Sequence, residues 1–163
     1  MSRSIPRLTA AALLAMSGAA IATVAFALVV ARMVIAAGIP GVHVQASDVA
    51  LLDDLVPLTP FVATFAAANL VVALALVFDR PWAERVATAI ATVATSLGAV
   101  AFVLVALGHD PFSARSSIAA VGDGLGIIAA FIATYGIVIV ALALAGEPAR
   151  HGRTLGRSLP AAA

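Results

Sequence analysis

Residues 60–107 read PFVATFAAANLVVALALVF (60–78), DRPW (79–82) and AERVATAIATVATSLGAVAFVLVAL (83–107). Two long apolar runs flank a four-residue polar turn. A helix that rises about 1.5 Å per residue needs about 20 apolar residues to cross a hydrocarbon layer about 30 Å thick. Each run has that length. Asp79 and Pro81 break the helical pattern between them. The stretch predicts two membrane-crossing helices joined by a tight turn.

The rest of the chain repeats the pattern. A first run covers about residues 8–30 and continues helically to 37, where Gly38, Pro40 and Gly41 close it. A fourth covers about residues 124–145, with Asp123 as its expected cap and Gly146 and Pro148 at its end. Thr59 and Pro60 open the second run, as N-cap and first-turn proline. Gly108, Asp110 and Pro111 close the third, whose span is 82–107. The expected fold is therefore all-α: an integral membrane bundle of four transmembrane helices over residues 1–146. A flexible, Arg-rich cytoplasmic tail over 147–163 completes the chain.

Composition agrees. The 163 residues are 63% hydrophobic and only 10% charged, against roughly 25% charged in a soluble domain. Mean hydropathy is +1.14. A chain this small has too much surface to solvate with so few charges. A soluble enzyme, a disordered protein and a nucleic-acid binder are excluded as readings of the whole chain. All nine basic residues are Arg, and about a quarter of the chain is Ala. That pairing fits a GC-rich bacterial genome. Cysteine is absent, which excludes disulfides, thiolate metal sites and thiol nucleophiles.

Arginine placement predicts the threading. Arg3, Arg7, Arg80, Arg85, Arg150, Arg153 and Arg157 fall on one side of a four-span path, expected to be the cytoplasm. The opposite loops carry Asp48, Asp53, Asp54, Asp110 and Asp123, against Arg115 and, at the end of span one, Arg32. Both termini are then cytoplasmic, in a bacterial inner membrane. The first apolar run is longer than the h-region of a secretory signal, about 7–15 residues, and is read as a retained span. Between the first two spans, Asp48 is the expected cap of a short amphipathic helix carrying Val49, Leu51, Leu52, Leu55 and Val56. It either lies on lipid or docks on the bundle.

Packing between spans relies on small residues that let backbones approach. Span one has Ala11, Ala15, Ala19, Thr23, Ala27 and Ala31 in four-residue steps; span three has Ala83, Ala87, Ala91, Thr95 and Ala99; span four has Gly122, Gly126, Ala130 and Thr134. These rows are read as packing faces. Two weak echoes, VAFALV (24–29) with VAFVLV (100–105) and FVATF (61–65) with FIATY (131–135), suit a duplicated two-span hairpin. Chance in low-complexity apolar sequence is the competing reading.

The four span cores carry no ionisable side chain. Ion-coupled transport, intramembrane haem ligation and serine proteolysis each need one there. No cofactor, metal or catalytic motif is found. His43 and His109 lie in outer loops without ligand spacing. What remains is sparse. Asn69, near the centre of span two, must find an interhelical partner, with Thr23, Thr95, Ser96 and Tyr135 as the choices; Asn69, Thr95 and Tyr135 are the candidate interhelical polar contacts. The other use of Asn69 is to line a path with the Thr face of span three. Arg32, just past the apolar core of span one, either snorkels to lipid head groups or pairs with an outer-loop Asp. Arg150, Arg153 and Arg157 are candidate contacts to anionic lipid. Trp82 is an interfacial anchor.

With its acidic first outer loop, an Asp-Pro near the second and an Arg-rich tail, the chain resembles the small four-span membrane proteins of actinobacteria grouped as domains of unknown function. The resemblance implies the same layout and assigns no functional residue. The expected function is a non-enzymatic accessory or structural membrane subunit, without a cofactor. The other reading is a homo-oligomeric small channel or transporter. Expected partners are the lipid bilayer, and a larger membrane protein or further copies of the chain, with no nucleic acid.

Overall fold

The computed structural model describes residues 5–38, 46–107 and 124–146. Within them the chain is helical and contains no strand. The helices are α1 (Ile5–Ala36), α2 (Ala46–Leu55), α3 (Thr59–Val77), α4 (Ala83–Ala106) and α5 (Gly124–Gly146). Four helical stretches are long and apolar enough to cross a membrane: Ile5–Ala36, Leu52–Val77, Ala83–Ala106 and Gly126–Ala145. The first, third and fourth expected spans match them to within a few residues; the second, expected over 60–78, starts eight residues after the stretch Leu52–Val77, which also takes in the end of α2 and the turn that follows it. The Arg-rich tail, Gly122, Asp123, His43, His109 and Asp110 lie outside the described residues.

The four long helices form a ring in the order α1, α3, α4, α5. The most extensive contacts are α1 on α3 and α4 on α5; α1 on α5 is next, and α3 on α4 is thinnest. The fold is thus two antiparallel hairpins packed side by side. The echoing segments 61–65 and 131–135 meet across the centre, where the Phe65 and Tyr135 rings lie 6.1 Å apart.

The 19 residues of α3 rise about 28 Å, close to the hydrocarbon thickness. The 32 residues of α1 rise about 48 Å, so α1 overshoots. α2 packs along this surplus end, with Leu52 buried and Arg32 Nη2 3.0 Å from Asp53 Oδ1. The short helix between the first two spans therefore docks on the bundle. It begins at Ala46, ahead of the expected Asp48 cap.

Two further expectations need correction. Thr59 is not an N-cap. The chain runs from α2 through one 3-10 turn (Val56–Leu58) directly into α3, and Leu58 takes the cap position with no side-chain hydrogen bond. Thr59 is already in helical geometry, and its Oγ1 is buried without a partner. Pro60 does lie in the first turn, where its missing N–H costs nothing. The four-residue rows are also only partly packing faces. At 100° per residue, each step of four rotates a row by about 40°. On α4 the buried line is Ala83, Ala87, Ala91, Ala94 and Gly98, one step being three. Thr95 is half-buried and Ala99 exposed. On α1, Ala11 is buried but Ala19, Thr23 and Ala27 face out. On α5, Gly126 and Ala130 face out, while Tyr135, Val138, Ala141 and Leu142 face in.

Candidate functional site

The centre of the bundle holds one polar cluster, built from three helices. Tyr135 on α5 and Asn69 on α3 are both 0% exposed. Ser17 on α1 donates from Oγ to Tyr135 Oη at 2.8 Å. The Tyr135 hydroxyl donates to Asn69 Oδ1 at 3.0 Å. Asn69 Nδ2 donates to the Phe65 carbonyl at 2.8 Å. The Tyr135 ring is held between Phe131, with centroids 4.8 Å apart, and Phe65.

Each step has a local cause. Gly18 lets α1 approach α3 until a Cβ at that position would lie 2.9 Å from the Ala66 carbonyl oxygen. That approach brings the preceding residue, Ser17, to the level of Asn69. α5 lies against α1, and its largest inward side chain fills the centre. Polar groups out of water cost far less once bonded. The three side chains satisfy one another, and the hydrogen-bond run ends on a backbone carbonyl. Neither end carries a group that titrates near neutrality. The arrangement joins three helices; it supplies no acid, base or nucleophile pair.

Asn69 therefore meets Tyr135 rather than Thr23, Thr95 or Ser96. Thr95 is not brought into the cluster; its Oγ1 is shielded and has no hydrogen-bond partner. Thr88 and Thr92 are exposed on the outside of α4, where each bonds the carbonyl four residues back. Asn69 and the Thr face of α4 do not share one path. Sequence reasoning missed Ser17. Its signal, a hydroxyl beside a glycine at mid-helix, gains meaning only with the rotation of α1 known.

A second cluster, also missed, lies at the α3–α4 turn. Arg7 on α1, with 19% of its side chain exposed, places Nη1 2.7 Å from Asp79 Oδ1. Its Nε faces Glu84 Oε1 at 3.5 Å, an electrostatic contact too long for a good hydrogen bond. Asp79 adopts φ 55° just past the end of α3. The Arg80 N–H reaches back to the Ala75 carbonyl at 3.0 Å, and the Asp79 N–H to Leu76 at 3.3 Å. This is a Schellman closure, which usually has glycine at the left-handed position. A carboxylate also sits poorly at the negative end of a helix dipole. Both disadvantages of Asp79 are offset by the Arg7 guanidinium. An acid at a helix C-terminus was the signal in the sequence.

Arg32 is paired with Asp53, as described for α2. Arg150, Arg153 and Arg157 lie outside the described residues. No group of three or more His, Asp or Glu side chains that could hold a metal is found among the described residues. Compared with protein-family models, curated proteins and solved structures, the chain finds no match.

Proposed function

We propose that this chain is a non-enzymatic accessory or structural subunit of a bacterial cytoplasmic membrane, with both termini on the cytoplasmic side. In this reading it packs its outer surface against a larger membrane protein. The observation that carries the proposal is the closure of the bundle centre. The polar groups at mid-span are spent on one another, and Tyr135 fills the axis with no exposed surface. A subunit that acts by shape needs a stable body and nothing more. The lipid-facing surface keeps large side chains such as Met16, Phe26, Phe61 and Leu97 available for a neighbour.

Native mass spectrometry of the protein extracted from its own membrane in mild detergent tests the reading. The expected result is a dominant complex with one different, larger protein. A homo-oligomer of fixed size with no partner would overturn it. One observation favours that second reading, a homo-oligomeric channel or transporter: Thr88, Thr92 and Ser96 form a hydroxyl-bearing strip on the outside of α4, which neighbouring copies could enclose as a path.

The orientation rests on the Arg distribution and has its own test, which the absence of cysteine makes direct. In intact cells, Ala46→Cys is expected to react with a membrane-impermeant maleimide, and Ser158→Cys only after permeabilisation. The reverse pattern would invert the assignment.

A further inference from the structure

We propose that the α3–α4 turn is a binding site for the head group of an anionic phospholipid, formed by Arg80 and Arg85 beside Trp82 and Phe78. The argument starts from how charge is distributed around the turn. Three arginines and two carboxylates meet at this end of the bundle. Both carboxylates, Asp79 and Glu84, face the same arginine, Arg7. Arg80 and Arg85 are exposed and have no carboxylate partner among the described residues. The internal pairing leaves two unneutralised guanidinium groups on one short segment. Its acids, which would otherwise repel a phosphate, are turned toward α1.

The backbone holds this segment firmly. The Schellman closure fixes Arg80 through its own N–H. The Val86 N–H bonds the Trp82 carbonyl at 3.1 Å, which makes Trp82 and Arg85 neighbours three apart on one helical face. Ala83 and Ala87 face the core on the other side. Phe78 is 67% exposed and Trp82 45% exposed. A tryptophan at a helix turn marks the level of the lipid head groups, and the length of α3 places the turn at the edge of the hydrocarbon. A guanidinium at that depth presents paired N–H donors to a phosphate. Because the aromatic rings seat the turn against acyl chains, the phosphate in reach is that of a lipid.

Trp82 is the single tryptophan of the chain, so its fluorescence reports on this site alone. The test reconstitutes the full chain into phosphatidylcholine bilayers that contain brominated phosphatidylglycerol or, separately, brominated phosphatidylcholine. The expected result is quenching of Trp82 by the brominated anionic lipid with a relative affinity at least about fivefold above that of the zwitterionic lipid. Arg80→Gln/Arg85→Gln should reduce the preference to about onefold, and Arg85→Gln alone to an intermediate value. Inorganic phosphate added to the aqueous phase should leave the quenching unchanged. Equal quenching by both lipids in the unaltered chain would overturn the proposal. So would a preference that survives both substitutions, or one that inorganic phosphate abolishes. Helical circular dichroism of each variant verifies folding; if the double variant does not fold, the single variant carries the test.

Discussion

Gly18→Leu is expected to prevent α1 from docking on α3 and to leave no folded bundle in detergent. A Cβ at position 18 would lie 2.9 Å from the Ala66 carbonyl oxygen, 3.0 Å from Leu70 Cγ and 3.1 Å from Asn69 Cβ. The first of these is backbone, so the helices themselves must separate. Even Gly18→Ala should destabilise. Alanine gains up to about 1 kcal/mol over glycine in a helix interior, but overpacking a tight contact costs about 1–3 kcal/mol. Leucine adds three more carbons to the same space and should exceed about 3 kcal/mol. Gly98 is a second tight point. A Cβ there meets Ile132 Cγ1 at 2.8 Å and Phe131 Cδ1 at 3.3 Å, and Cγ1 of a β-branched residue moves only with a change of χ1. Gly98→Ala should therefore also lower the Tm. A Gly18→Ala protein that melts above the parent would show that α1 and α3 do not meet at this distance.

Tyr135→Phe is expected to cost about 1–2 kcal/mol, a large effect for removal of one oxygen. The hydroxyl both accepts from Ser17 and donates to Asn69. Once it is gone, Ser17 can turn to a carbonyl one turn back in its own helix. Asn69 Oδ1 has no such choice and stays buried without a donor. Asn69→Leu should cost a similar amount, since the Tyr135 hydroxyl loses its acceptor and can donate to Ser17 Oγ only if Ser17 stops donating to it, and Ser17→Ala clearly less. The pair is the sharper test. Tyr135→Phe/Asn69→Leu removes both partners, so its cost should fall well short of the sum of the two single effects. Strict additivity in chemical or thermal unfolding would mean that the two side chains do not interact.

The spans were legible because membrane crossing needs only one-dimensional information: enough apolar residues between breakers. The run 82–107 and the helix Ala83–Ala106 differ by one residue at each end. The faces were not legible, and the reason is physical. In a soluble helix the inward side is apolar and the outward side polar, so rotation can be read from the pattern. In a membrane both sides are apolar. Leu97 faces out and Leu76 faces in, and composition cannot distinguish them. The polar residues were the exception. Asn69 and Tyr135 were singled out because hydrocarbon forces them to find partners, yet Ser17 was invisible until α1 was rotated into place. The charged turn shows the same limit. Arg7 is more than 70 residues of chain away from Asp79 and Glu84, and only the packing of the helices brings them together.

On the proposed function, the middle of this bundle is a closed structural joint rather than a path. Flux through proteoliposomes containing the purified protein tests it most directly, with protons, potassium and small neutral solutes as permeants. Permeability is expected to equal that of protein-free liposomes, and Asn69→Leu should lower the unfolding temperature without changing that permeability. A flux that rises with protein content, and that Asn69→Leu abolishes while unfolding temperature and oligomeric state stay unchanged, would contradict it.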